Sequence, residues 1–525
     1  MDRSDDPTTW PAATLGELLR RAASAGPDRL ALVDGEVRLS FAELEAHALT
    51  FAATLAGLGV HRGDVVTAQL PNWWETQVVT YGTALAGATY NPVVAIYREH
   101  ELGFIVRQAR PKVLVVPGDY RGHDHLAMAC GLAAELDDPP VVVAVRVPET
   151  ELPDQVLAFP GPGHASPSVA ADPDDVALLM YTSGSTADPK GVLHSHRTLL
   201  HEARQVAGIA RLGADDAVFM ASPLTHITGL LFASVLPVDL GIACVLQDRW
   251  EAAAAVALVE QHHCTFTVSA TTFLLGMTKV YEELGHRSSL EVFICGGAEV
   301  GPELVGRARQ AMGTRIVRTY GSTEFPTFSL GDPYGDPVVA AETDGMPVPL
   351  SQHRIAPSEE HGGTGGGELL VKGAELFLGY FDASLDASAF TEDGFFRTGD
   401  VVRFDERGAC TVIGREKDII IRGGENLSAI EVEDHLQLHP LVEEVAVVAM
   451  PDAVLGERAC AYVVPRGDGP TVADLKAFLA ARGLAVQKAP ERVELVAALP
   501  RTASGKVQKY RLRATIRQRL SDEGA

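Results

Sequence analysis

At 525 residues the chain is longer than one hydrophobic core usually supports, so two or more domains are expected. Hydrophobic residues make up 46% and the formal net charge is −25, which describes a globular protein and disfavours a large nucleic-acid interface, since that needs clustered cations. The six cysteines are far apart, without a CxxC pair or zinc-ligand spacing, and read as reduced thiols. The acidic N-terminus and the lack of an apolar run of spanning length point to a cytoplasmic enzyme with no membrane span.

In chain order, Val65–Leu70 reads as a buried strand, Glu75–Gly87 as a helix and Val113–Val116 as another strand, a rhythm that predicts a largely parallel sheet. Val176–Met180 is a further apolar strand. After it, Tyr181–His196 reads YTSGSTADPKGVLHSH, rich in hydroxyls and glycine and ending in a lysine. Donors, close backbone approach and a point charge are what a polyanion requires, so this is a candidate phosphate loop. It lacks the Gly-Lys-Ser/Thr ending of a P-loop. A solvated Ser/Gly linker would need neither the strand before it nor the Pro-Lys-Gly that closes it.

Leu290–Cys295 is the next strand; a glycine turn follows, then a helix that opens at Pro302 and stops at Gly313. Arg315–Thr319 then delivers YGSTE at its carboxyl end, where open α/β sheets bind ligands. From about Gly345 to Ile413 short strands and glycines suggest a small β subdomain. Beyond Arg415 a compact α/β unit follows, with strands near Val445–Met450, Ala459–Val464 and Arg492–Leu495.

The loop at Tyr181, with YGSTE (Tyr320–Glu324), RTGD (Arg397–Asp400), GREKD (Gly414–Asp418), GGEN (Gly423–Asn426) and PRTASGK (Pro500–Lys506), resembles in order and spacing the adenylate-forming superfamily. That superfamily comprises acyl-CoA synthetases, peptide-synthetase adenylation domains and firefly luciferase. QLPNWWE (Gln69–Glu75) and GLAVQKAPERVELV (Gly483–Val496) are similar to cyclohexanecarboxylate-CoA and medium-chain acyl-CoA ligases. Ala187 departs from the usual glycine and would stiffen the loop while leaving its hydroxyls and Lys190 in place.

The resemblance implies an α/β fold with a large N-terminal domain, 1–414, of mixed parallel sheets with helices plus a small β subdomain, and a small mobile α/β C-terminal domain, 415–525. It implies nucleotide contacts at Thr182, Ser183, Gly184, Ser185, Thr186, Lys190, Gly297, Ala298, Glu299, Tyr320, Gly321, Ser322, Asp400 and Arg415. Thr323 would touch phosphate and Glu324 would hold Mg2+, a hard cation that prefers carboxylate and phosphate oxygens. Lys506 would be the catalytic lysine of adenylation, because an ammonium beside the α-phosphate stabilises charge that grows in the transition state. Lys417 matches the hinge position, although a solvated loop lysine is the plain alternative.

Gly423, Gly424 and Glu425 would let the pantetheine of coenzyme A pass close to backbone. His226 matches a gate between acyl pocket and thiol tunnel, and the pocket would include Thr228, Gly229, Thr271 and Gly296. The aspartate with which amino-acid-activating relatives hold an α-amino group is missing between Pro223 and Leu236, so an apolar, uncharged pocket for a medium-chain, alicyclic or aromatic acid is expected. The expected reaction consumes ATP and CoA and releases AMP and pyrophosphate. Transfer to a carrier-protein thiol in trans, an amine or nitrite stays open, as do a homodimer and a non-catalytic nucleotide-binding homologue.

Overall fold

A computed structural model describes residues 12–161, 171–182, 189–296, 300–357, 367–415, 419–500, 507 and 509–524. Among these residues, two large sheets carry most of the chain. One has nine strands, and its centre is parallel: Ala243–Leu246, Ala217–Met220, Phe266–Ala270, Val292–Gly296 and Arg315–Tyr320 run side by side. The other has eight strands, with Val65–Ala68 between Thr89–Pro92 and Val113–Pro117 in parallel register. The parallel strands predicted at Val65, Val113, Leu290 and Arg315 are all present.

Local signals set the element ends. The helix expected at Glu75 spans Trp74–Leu85 and stops short of Gly87, whose φ of +70° lies in the left-handed region. Pro302 opens the helix Pro302–Met312, and Gly313 closes it at φ +73°. Helices Leu15–Ala25, Phe41–Gly57, Trp74–Leu85 and His196–Ile209 fill the space between the sheets, burying Leu19, Phe51, Tyr81 and Leu199 in one continuous core.

The small β subdomain is a four-stranded antiparallel sheet, Gln352–Pro357, Gly367–Lys372, Phe396–Phe404 and Cys410–Arg415. Beyond it, Ile419–Arg422, Glu425–Ser428, Val442–Asp452, Gly456–Pro465 and Arg492–Leu495 form a sheet of their own, its strands pairing only with one another among the described residues. No helix among the described residues is long and apolar enough to cross a membrane. All six cysteines are unpaired, and five are buried.

Candidate active site

The carboxyl ends of the parallel strands and the antiparallel subdomain meet at one place. The candidate phosphate loop joins two strands, Val176–Thr182 and Lys190–Ser195, that pair antiparallel with Thr182 opposite Lys190. Alternate strand residues share a face, so Lys190, Val192 and His194 point the same way. On the far edge the short strand Gly379–Tyr380 pairs with Leu193 and Val192. This sets the Tyr380 ring 4.9 Å from the Lys190 ammonium. The same phenol donates to Glu324 Oε1 at 2.8 Å. Burial first, and then the Glu324 charge, push the phenol well above its ordinary range, so it remains a donor.

The turn after Arg315–Tyr320 is held from below. His194 Nε2 lies 2.7 Å from the Thr323 carbonyl, and Nδ1 lies 3.0 Å from Thr198 Oγ1. A carbonyl only accepts, so Nε2 carries the proton and Nδ1 accepts from the threonine. Burial pushes this imidazole down to about 4, which keeps it neutral. Gly321 and Ser322 continue the turn, the Ser322 amide donating to the Phe325 carbonyl at 2.9 Å. Tyr320 donates its hydroxyl to Asp400 Oδ2 at 2.7 Å, and Asp400 stands opposite Arg415 in the ladder of the antiparallel sheet. Thus Lys190, Tyr320, Thr323, Glu324 and Asp400, scattered over more than two hundred positions, converge. Ser183, Gly184, Ser185, Thr186, Gly297, Ala298, Glu299, Lys417 and Lys506 lie outside the described residues.

Two members of this group escaped the sequence reading. His194 could have been found from the strand period, two steps of two beyond Lys190. Tyr380 carried no such signal, since its partnership with Lys190 and Glu324 depends on an edge strand of two residues.

The remaining residues sit around a second opening. The hairpin between Ile419–Arg422 and Glu425–Ser428 turns at Gly423 and Gly424, with φ of +58° and +88°. A β-carbon at Gly424 would stand 3.4 Å from that of Ala270. Ala270 pairs in register with Gly296 and immediately precedes Thr271, so these three come together beneath the hairpin. Glu425 Oε2 lies 3.6 Å from His226 Nε2. Burial pulls the imidazole down, but the charge and hydrogen bond of Glu425 outweigh it and leave His226 raised. Burial likewise pushes Glu425 up, and the cations His226, Lys488 and Arg422 bring it below the usual carboxylate value.

His226 begins the turn Ile227–Gly229, which carries Thr228 at partial exposure. Any β-carbon at Gly229 would stand 2.0 Å from the Pro223 carbonyl oxygen, so only glycine fits.

A cleft of about 390 Å³ opens between the hairpin and the helix Thr271–Leu284. Thr272, Leu275, Gly276 and Lys279 line it, the i, i+3, i+4, i+7 face of that helix, with Phe273 and Trp250 beside them and Arg422, Gly423 and Glu425 opposite. Leu274 turns instead into the core, fully buried. The segment TTFLL (Thr271–Leu275) therefore supplies mostly this cleft.

Known proteins share this fold. A model of the AMP-binding enzymes matches residues 19–381, and a model of the AMP-binding enzyme C-terminal domain matches residues 431–506. The chain is 32% identical to a medium-chain fatty-acid–CoA ligase of Escherichia coli, over 98% of this chain and 92% of that one. It is 36% identical to a salicyl-AMP ligase / salicyl-S-ArCP synthetase of Mycobacterium tuberculosis, over 97% and 91%. The structure of an amide bond synthetase from Marinactinospora thermotolerans superposes with a TM-score of 0.84 at 24% identity, covering 96% of this chain and all of that one, which establishes the shared fold. The chain belongs to the AMP-binding, adenylate-forming enzyme family.

Proposed function

We propose that the protein activates an uncharged carboxylic acid with ATP to an acyl adenylate and transfers the acyl group to coenzyme A, releasing pyrophosphate and AMP. The observation that carries a pantetheine acceptor is the cleft beside Gly423. Gly423 and Gly276 leave backbone bare on its two sides, and Glu425, which also lines it, lies 3.6 Å from His226. Lys279 adds positive charge for a phosphate-bearing ligand, whereas Arg422 is paired with Glu491 at 2.7 Å. The relative in Escherichia coli, whose name specifies a CoA ligase, supports the same reading.

In this reading the chain divides near residue 415. The N-terminal part holds ATP and acid; the C-terminal part brings Lys506 for the first step and the glycine hairpin for the second. Asp400 accepts the ribose hydroxyls, and Tyr320 presents its aromatic face to adenine. Lys190 and Thr323 meet the phosphates. Mg2+, when bound, supplies neutralisation of phosphate charge, and the lone Glu324 carboxylate suits an ion that takes most of its oxygens from the nucleotide. Tyr380 holds that carboxylate in one orientation, and the neutral His194 holds the backbone that presents it. Attack of the acid oxygen on the α-phosphorus expels pyrophosphate, with Lys506 compensating the charge. The CoA thiolate then attacks the acyl carbon and expels AMP.

A carrier-borne pantetheine would use the same cleft, and the salicyl-AMP ligase relative favours that second reading. Pyrophosphate release should be measured over a panel of acids with CoA, with a pantetheinylated carrier protein and with neither, and the products weighed by mass spectrometry. Acyl-CoA from an aliphatic, alicyclic or aromatic acid is expected; adenylate formation without acyl-CoA would overturn the CoA assignment.

A further inference from the structure

Since residues 419–495 share no strand with the rest of the described chain, their orientation depends on side chains. One cluster stands out. Lys488, 3% exposed, places its ammonium 2.7 and 2.9 Å from the two oxygens of Glu431 and 3.1 Å from Oε1 of Glu101. Both carboxylates are buried, and Glu101 Oε1 also accepts from the Ala485 amide at 3.0 Å. Glu101 belongs to the helix Glu99–Ala109, on the other side of residue 415 from its partners. The nucleotide and acyl residues do not include these three.

The charges are arranged for separation as well as for docking. A buried ion pair that loses one partner strands a charge, which is strongly unfavourable. Here, withdrawal of the C-terminal unit takes Lys488 and Glu431 away together, still paired, and leaves Glu101 to water. The Lys488 ammonium therefore keeps a carboxylate partner in either arrangement. The cluster also adjoins the cleft on both sides: Ile96 and Gln487, which line it, are close in sequence to Glu101 and Lys488 respectively.

We propose that Glu101 is a positioning residue for the transfer half-reaction: it is the socket for Lys488, and it sets how long the C-terminal unit stays where the cleft exists. This rests on the two-step reading above, so the test has a readout independent of the acceptor. Glu101→Gln keeps an oxygen for the Arg98 amide that caps the helix but removes the charge. In the full-length protein, single-turnover transfer from a supplied acyl adenylate to CoA should fall about ten-fold, within the usual range of site coupling. Pyrophosphate formation should stay within about two-fold, and Glu101→Asp should recover most of the transfer rate.

In parallel, fluorophores on Asp137→Cys and Leu438→Cys, exposed positions on the two units, should report a shift toward separation in Glu101→Gln. A label shift in a protein that makes no acyl-CoA would support the latch and refute the acceptor. Unchanged labels, or equal loss in both half-reactions, would overturn the latch.

Discussion

The Tyr380 phenol is bonded to the Glu324 carboxylate while its ring faces the Lys190 ammonium, so one side chain contacts both the proposed metal ligand and the proposed phosphate cation. Tyr380→Phe keeps the ring and removes the bond. A hydrogen bond to a charged group contributes about 1.5–3 kcal/mol, so adenylate formation should fall roughly ten- to a hundred-fold, with a higher Mg2+ requirement. Pyrophosphate exchange across a Mg2+ series measures this; an unchanged Mg2+ midpoint would separate Tyr380 from the metal.

Lys506→Ala should abolish adenylate formation while transfer from a supplied acyl adenylate continues. The prediction follows from assigning the lysine to the first step alone. Equal loss in the two steps would refute it.

Gly424→Leu combines a left-handed backbone, which costs a side-chain residue about 1–2 kcal/mol, with a β-carbon aimed at Ala270. CoA-dependent turnover should slow far more than pyrophosphate release. Were another acceptor to enter elsewhere, both rates would change alike.

The Glu425–His226 pair should give docking of the hairpin a pH window. His226 is raised above its ordinary value near 6.5, so its stabilising charge is fully present below that value and is lost as pH rises through the raised one. Glu425 is lowered from 4.5, so its share is present above 4.5 and is lost as pH falls through the lowered value. The ratio of wild-type to Glu425→Gln transfer rates should therefore be greatest in mildly acidic to neutral solution and shrink toward alkaline pH. A flat ratio would mean the pair does not act in transfer.

The sequence made the scaffold legible where a single period or a single glycine decides. Short β-branched runs such as Val113–Val116 read as buried strands, and Pro302 with Gly313 bracket a helix. Motif spacing likewise brought Tyr320, Glu324 and Asp400 into one site. It could not reveal what depends on pairing between distant edges: Tyr380 reaches Glu324 because two residues add onto Val192 and Leu193. Nor could it divide TTFLL, because which face of Thr271–Leu284 meets the cleft and which the core is settled by the sheet beneath, so Leu274 points inward beside neighbours that do not. The Glu101 socket was equally hidden, its partners being nearly four hundred positions away.

In the expected acyl pocket, the close approach at Gly229 constrains redesign of substrate range. With the Pro223 oxygen 2.0 Å from where a β-carbon would stand, the turn after His226 cannot be enlarged without being displaced, and His226 would move with it. A library that randomises this stretch should therefore hold residue 229 constant and vary Thr228 and Thr271. Variants selected for shorter or bulkier acids are expected to accumulate changes there, with glycine retained at 229 in every active clone.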